Sequence, residues 1–238
     1  RDSAMSAIFK KEFKNYFMSP VGYIFAGVFM FFAAMFFSSG VLQSQQADIS
    51  LMFSNINVIY LLLASLLTMR LLAEEKNKKT DQLLLTSPVS ITEIVLGKYF
   101  AAMAFFGVTI ILSFIFPAIM FKFGQPALSE VIGSYLGFIL LWGAFIAIGL
   151  FISSLTESQM IAGVFTFASL LLIYFINWFE SSAKNEIARK ILGWFSLLSR
   201  YSEFQDGILN VQNIIYYLSL IFVFLFLTVR VIDKRRYS

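Results

Sequence analysis

Six apolar runs of about 20 residues limit what this chain can become. They cover residues 21–42, 53–69, 99–121, 131–153, 159–179 and 211–229, and none contains Asp, Glu, Lys or Arg. A helix crosses the hydrocarbon of a bilayer with about 20 such residues. Backbone groups in lipid must bond within their own segment, and these runs are apolar all round rather than alternating as barrel strands do, so they predict helices. With 59% hydrophobic residues and 29 Phe in 238, the chain carries more apolar surface than a soluble core of this size encloses. The expectation is an all-α membrane protein with six transmembrane helices.

Charge sets the orientation. The net charge of +4 comes from basic residues that flank the apolar runs, so they read as topology signals and not as a nucleic-acid surface. Lys122, Lys184, Arg189, Lys190 and Arg200 fall on one side, and the other 13 of the 18 Lys and Arg on the opposite side with both ends of the chain. The positive-inside rule then puts both termini in the cytoplasm. Arg1 to Ala4 precede Met5, the expected natural start, and the first apolar stretch is long enough to stay in the membrane, so no removable leader is expected. The organisation is a tail and interfacial helix over 1–20, a membrane domain over 21–232 and a cytoplasmic tail over 233–238.

Three stretches outside the spans carry order of their own. Met5, Phe9, Phe13, Tyr16 and Phe17 share one helical face, with Lys10, Lys11 and Lys14 opposite. This predicts an amphipathic helix lying in the inner interface, turned into the first span at Ser19-Pro20. A polar island, 70–98, lies between the second and third spans on the cytoplasmic side. It runs from Glu74-Glu75-Lys76 through Lys78, Lys79 and Asp81 to Leu83-Leu84-Leu85 and Thr86-Ser87-Pro88. Those leucines need a cover: lipid, the chain's own helices or a partner. Beyond the fifth span, over 180–210, Ile187, Ile191, Leu192, Phe195 and Leu198 recur at helical spacing, and Trp178 and Trp194 suit an interface. A connecting loop with an interfacial anchor and a surface helix pair capping a pathway both fit.

Chemistry is scarce. The chain has no His and no Cys, which removes the usual general base and the thiolate ligand. The spans carry no ionisable group of the kind that proton-coupled transporters place at membrane depth, nor one for an intramembrane metal. Glu74 and Glu75 are adjacent and on a helix would point apart, so they read as loop charges. Gly97-Lys98 fails as a phosphate loop because Tyr99 follows and Thr92 stands where the first Gly belongs. No enzyme activity, metal or cofactor is expected on this chain, and any ATP energy must come from another.

Small residues mark helix packing in the fourth span: Gly133 and Gly137, Gly143 and Ala147, then Gly149 and Ser153. Contacts within the bundle and a subunit interface both fit the spacing. Pro117 removes a backbone donor in the third span and predicts a kink.

The stretch AEEKNKKTDQLLLTSPVSITEIVLGKYF resembles the first cytoplasmic loop of ABC-2 type permeases, E-E-[RK]-x-x-G-T-x-E-x-L-L-[ST]-[ST]-P-[VI]-[ST] followed by G-K at the third helix. Glu74, Glu75, Lys76, Thr80, Leu84, Leu85, Thr86, Ser87, Pro88, Val89, Ser90, Gly97 and Lys98 fit; Lys79 stands in place of Gly and Gln82 in place of Glu. SRYSEFQDGILNVQNIIYYLSL, with Phe204, Gly207 and Tyr217, is similar to the family's outer segment before the last helix, and IFKKEFKNYFMSPVGYIF to its N-terminal amphipathic helix. Within the family the chain most resembles gliding-motility-associated permeases of Bacteroidetes, related to permeases linked to copper-enzyme maturation. The resemblance implies a type V exporter-like architecture in a bacterial inner membrane. It implies two permease subunits, as a homodimer or as a heterodimer with a larger subunit bearing an extracytoplasmic domain, above cytoplasmic ATPase subunits that hold the ATP and Mg. The first loop would form a coupling helix seated on the ATPase through Glu74, Glu75, Lys76, Thr80, Gln82, Leu83, Leu84, Leu85 and Pro88. The implied role is export, or energising a cell-envelope machine such as gliding motility; a non-transport scaffold or a passive channel is the alternative.

Overall fold

The computed structural model describes residues 4–44, 47–55, 57–80, 89–182, 193 and 196–236. Eleven α-helices are found among them: α1 Ala4–Met18, α2 Pro20–Phe36, α3 Ser50–Asn55, α4 Asn57–Thr68, α5 Ala73–Asn77, α6 Ile91–Ser113, α7 Ile115–Phe123, α8 Leu128–Leu155, α9 Gln159–Ser182, α10 Leu197–Gln205 and α11 Val211–Arg236. A π-helical segment, Phe37–Leu42, extends α2. No strand is found among the described residues.

Among the described residues, five helical stretches are long and apolar enough to cross a membrane: Pro20–Leu42, Ile91–Phe123, Leu128–Leu155, Gln159–Glu180 and Val211–Arg235. The sixth apolar run, 53–69, is helical on both sides of residue 56, in α3 and α4, and residue 56 itself lies outside the described residues.

α8 is the axis of the bundle. Its apolar window is 72% buried, against 17% for those of α9 and α11. Around it Phe25 and Phe29 of α2, Tyr60 of α4, Phe106 of α6 and Phe138 and Trp142 of α8 form one aromatic core. Trp142 stacks on Phe106 at 4.4 Å between centroids and Tyr60 meets Phe138 at 4.6 Å. Such contacts add specific geometry to apolar burial. Outward faces stay apolar: Tyr23, Phe31, Met160, Phe165, Leu172 and Phe222 are exposed, an arrangement that suits lipid rather than water. Phe151 of α8 packs on Phe224 of α11, and a Cβ on Gly143 would lie 3.0 Å from Ile221, so α8 and α11 run in the same direction.

The third span is interrupted where Pro117 predicts. α6 ends at Ser113 and α7 begins at Ile115. A residue at 117 would ordinarily donate to the carbonyl of Ser113, and proline has no N–H to give. The freed carbonyl accepts the Tyr135 hydroxyl of α8 at 3.0 Å. The kink is thus satisfied by a side chain from the neighbouring helix, as hydrocarbon requires.

At the end of the bundle away from α1, α10 folds back onto α8. Leu197, Leu198, Tyr201 and Phe204 are its buried face. Arg200 donates to Asn213 Oδ1 at 3.1 Å and lies over the Tyr216 ring, while Asn213 donates to Glu203 at 2.7 Å. The helix closes at Gly207, whose φ of +75° is the left-handed conformation that glycine takes freely. Gly207 N–H donates to Phe204 O and Ile208 N–H to Glu203 O, the paired bonds of a Schellman cap. Ile187, Ile191, Leu192, Trp194 and Phe195 lie outside the described residues; Leu198 is buried in α10 and Trp178 is exposed on α9.

Candidate coupling surface

The polar island enters and leaves the bundle through two described stems, and the segment between them, 81–88, with Gln82, Leu83, Leu84, Leu85 and Pro88, lies outside the described residues. The first stem is α5. A helix this short leaves most of its backbone donors and acceptors without internal partners. Ser153 Oγ of α8 accepts from the amides of Leu72 and Ala73 at 3.1 and 3.0 Å, which satisfies two donors at the start of α5. Lys76, itself buried, reaches the carbonyl of Ser154 near the end of α8. A cation there also meets the negative end of the α8 dipole. α5 is therefore fastened to the last turn of α8 from both sides.

A second fastening is ionic. Lys98 of α6, with only 2% of its side chain exposed, lies 2.9 Å from Glu12 of α1 and 3.0 Å from Glu75 of α5. Lys11, largely exposed, comes within 3.9 Å of Glu12 and 3.7 Å of Glu75. Two cations and two anions make a neutral group that joins three helices. The reading of Glu74 and Glu75 as solvated loop charges holds only in part. Glu75 is turned inward to Lys98, while Glu74 pairs with Lys78 at 2.7 Å one helical turn along. The two point apart because they are adjacent on a helix.

α1 lies across this group. Tyr16 stacks on Phe105 at 4.9 Å and Phe17 meets the same ring edge-on at 5.3 Å. Phe9, Phe13 and Phe17 continue as a ladder along the helix. The aromatic face expected to lie in lipid is thus docked in part on α6, while Lys10, Lys11 and Lys14 are exposed, Lys11 reaching back to Glu75. The Tyr16 hydroxyl donates to Leu67 O at 3.2 Å. Burial, and then the charge of Glu12, push its ionisation up, so it remains a neutral donor.

α5 ends at a second Schellman cap. Lys79 N–H donates to Lys76 O and Thr80 N–H to Glu75 O, and Lys79 holds φ at +54°. This is the position at which the ABC-2 motif has glycine. A lysine there bears the cost of its Cβ in a left-handed conformation. Lys79→Gly is expected to stabilise the fold by about 0.5–1 kcal/mol, read as a rise in the thermal unfolding midpoint of the detergent-solubilised chain. The second stem opens α6 with a capping box: Glu93 N–H donates to Ser90 Oγ at 3.2 Å and Ser90 N–H to Glu93 Oε2 at 3.1 Å.

The small residues of α8 meet elements of the same chain. A Cβ on Gly133 would strike the Phe204 carbonyl, one on Gly137 would lie 2.6 Å from Phe204 Cβ, and one on Gly143 3.0 Å from the Tyr99 hydroxyl. One on Gly149 would strike Thr68. Ala147 is fully buried. Ser153, read as a spacer, contributes a hydroxyl. Glu12 and Lys98 carry the ionic group and went unseen as partners, because 86 residues separate them. The available signal was a lone lysine between Val95, Tyr99, Ala101 and Ala102, where a helix would otherwise be apolar.

The family model of the ABC-2 family transporter protein matches residues 6–235. No curated protein matches the chain. The family's domain is the transmembrane component of an ABC transporter and not its ATP-binding one. With apolar helices of spanning length and a match over nearly its whole length, the chain belongs to the ABC-2 transporter family, as a multi-pass membrane permease subunit.

Proposed function

We propose that this permease receives ATP-driven motion from a separate cytoplasmic ATPase subunit through the island between α4 and α6, and uses it for export or to energise a cell-envelope machine, gliding motility among them. The observation that carries the reading is the fastening of α5 to α1, α6 and α8 through Lys98, Lys76 and Ser153. A push on a short helix travels only as far as its contacts, and these contacts reach three other helices. Glu75 and Lys76 serve as inward anchors, while Glu74, Thr80, Gln82, Leu83, Leu84, Leu85 and Pro88 form the face offered to the ATPase. ATP and Mg belong to that partner, and this chain holds no cofactor. A second permease subunit, identical or larger, completes the transporter. α3 and α4 together make the sixth crossing, and both termini face the cytoplasm of a bacterial inner membrane, the side on which the basic residues gather.

Leu84→Arg is expected to abolish ATPase co-purification from native membranes while leaving membrane insertion intact. An ATPase that still co-purifies with the variant removes the island as the coupling element. A chain that inserts but brings no ATPase even in its native form supports a scaffold or channel instead.

A further inference from the structure

A cleft of about 410 Å³ opens at the charged end of the bundle, between α1, the start of α2, the end of α4 and α5. Lys11, Asn15, Ser19, Arg70, Lys78 and Thr80 line it. Three carboxylates share the wall, and each already has a lysine: Glu12 and Glu75 have Lys98, and Glu74 has Lys78. Arg70 differs. Among the described residues it has no carboxylate partner. Its Nη1 donates to Ser19 Oγ at 3.1 Å, and its Nε is buried without a partner.

Ser19 is the N-cap of α2, and its hydroxyl accepts from Val21 N–H. Arg70 therefore stands over the positive end of a span-length helix, with its guanidinium on the cleft wall. A guanidinium fork beside a helix N-terminus favours a planar or tetrahedral oxyanion. The rim says what carries the anion. Met18, 72% exposed, and Val21 line it. Apolar side chains beside a cationic wall, where the first span enters the bilayer, match an amphiphile with a charged head. We infer that the cleft binds the phosphate headgroup of an anionic phospholipid, with Arg70 as the principal ligand and Lys11 and Lys78 at its sides. The lipid then sits as a wedge between α1 and α5. The site stands independently of the coupling role, since it needs only a membrane-embedded chain.

The test titrates the purified chain in neutral detergent with short-chain phosphatidylglycerol, with phosphatidylcholine of the same chain length, and with inorganic phosphate. Binding is read by native mass spectrometry and by the unfolding temperature. Phosphatidylglycerol is expected to bind and to raise the unfolding temperature, and phosphatidylcholine to do neither. Arg70→Gln is expected to weaken phosphatidylglycerol binding about tenfold, the loss of one charge-assisted hydrogen bond, and Lys78→Gln by less. A response to inorganic phosphate alone, lost in Arg70→Gln, keeps the phosphate site and moves its source from lipid to solution. Equal binding of the two lipids, or unchanged phosphatidylglycerol binding in Arg70→Gln, overturns the site. Should Arg70→Gln fail to fold, as judged by gel filtration, Lys78→Gln decides, because its exposed side chain is dispensable for packing; full affinity in that variant overturns the site too.

Discussion

Lys98→Met destabilises the folded permease by about 3–5 kcal/mol, the cost of removing one partner from a buried ionic group. The replacement keeps most of the side-chain volume, so little of the loss comes from a cavity. What it leaves is Glu12 and Glu75, each mostly buried, with Lys11 alone at 3.7–3.9 Å and largely exposed. A solvated lysine screens such charges weakly in comparison with an enclosed one. The effect is measured as thermal or denaturant unfolding of the detergent-solubilised chain, followed by tryptophan fluorescence. The triple variant Lys98→Met, Glu12→Gln, Glu75→Gln separates charge from shape. It removes both unpaired anions and is expected to regain most of the stability, since replacing a whole buried ionic group is close to neutral. A triple variant as unstable as the single one would show that Lys98 matters for packing and not for charge. If α5 transmits motion, the triple variant should also be stable yet poorly coupled, with its partner's ATPase activity no longer responding to the permease.

The second large effect lies along α8. Gly149→Val is expected to cost about 3 kcal/mol or more. A Cβ there would lie 2.6 Å from Thr68 Cβ and 2.9 Å from its Cγ2. Thr68 cannot readily swing aside, because its hydroxyl donates to Ala64 O at 2.8 Å. Gly137→Val should cost a similar amount against Phe204 and Tyr201. Gly27 and Gly107 are the controls. A Cβ at either meets nothing within 4 Å, so alanine there should be neutral or stabilise by up to about 1 kcal/mol through helix propensity. Unfolding midpoints of the four variants decide the matter. Equal behaviour of all four would mean that α8 is free to shift and that close approach is not what holds it.

Much of the fold was legible because hydrocarbon leaves few choices. Uncharged runs of spanning length must be helices, and a proline inside one must leave a carbonyl to satisfy. In the island, Lys79 in place of the motif's glycine marked a left-handed residue without naming it as such. The anchoring was not legible. Glu12 finds Lys98, and Ser153 finds the amides of Leu72 and Ala73, only after four helices have packed, and no periodicity within one segment records that. Ser19 and Arg70 are a further case, since a cap and a topology charge become one site only when α2 and α4 meet.

The two ends of α8 hold different partners: glycines 133 and 137 seat α10, and serines 153 and 154 seat α5. About 30 Å of helix lies between them. No proline or bulge interrupts it, in contrast to the span formed by α6 and α7. A rod without a joint cannot absorb displacement along its length, so whatever tilts its serine end must swing its glycine end, and the cap that rides there moves with it. If ATP-driven motion enters at the island, its input and its output lie at opposite ends of one unbroken helix, a transmission with no play.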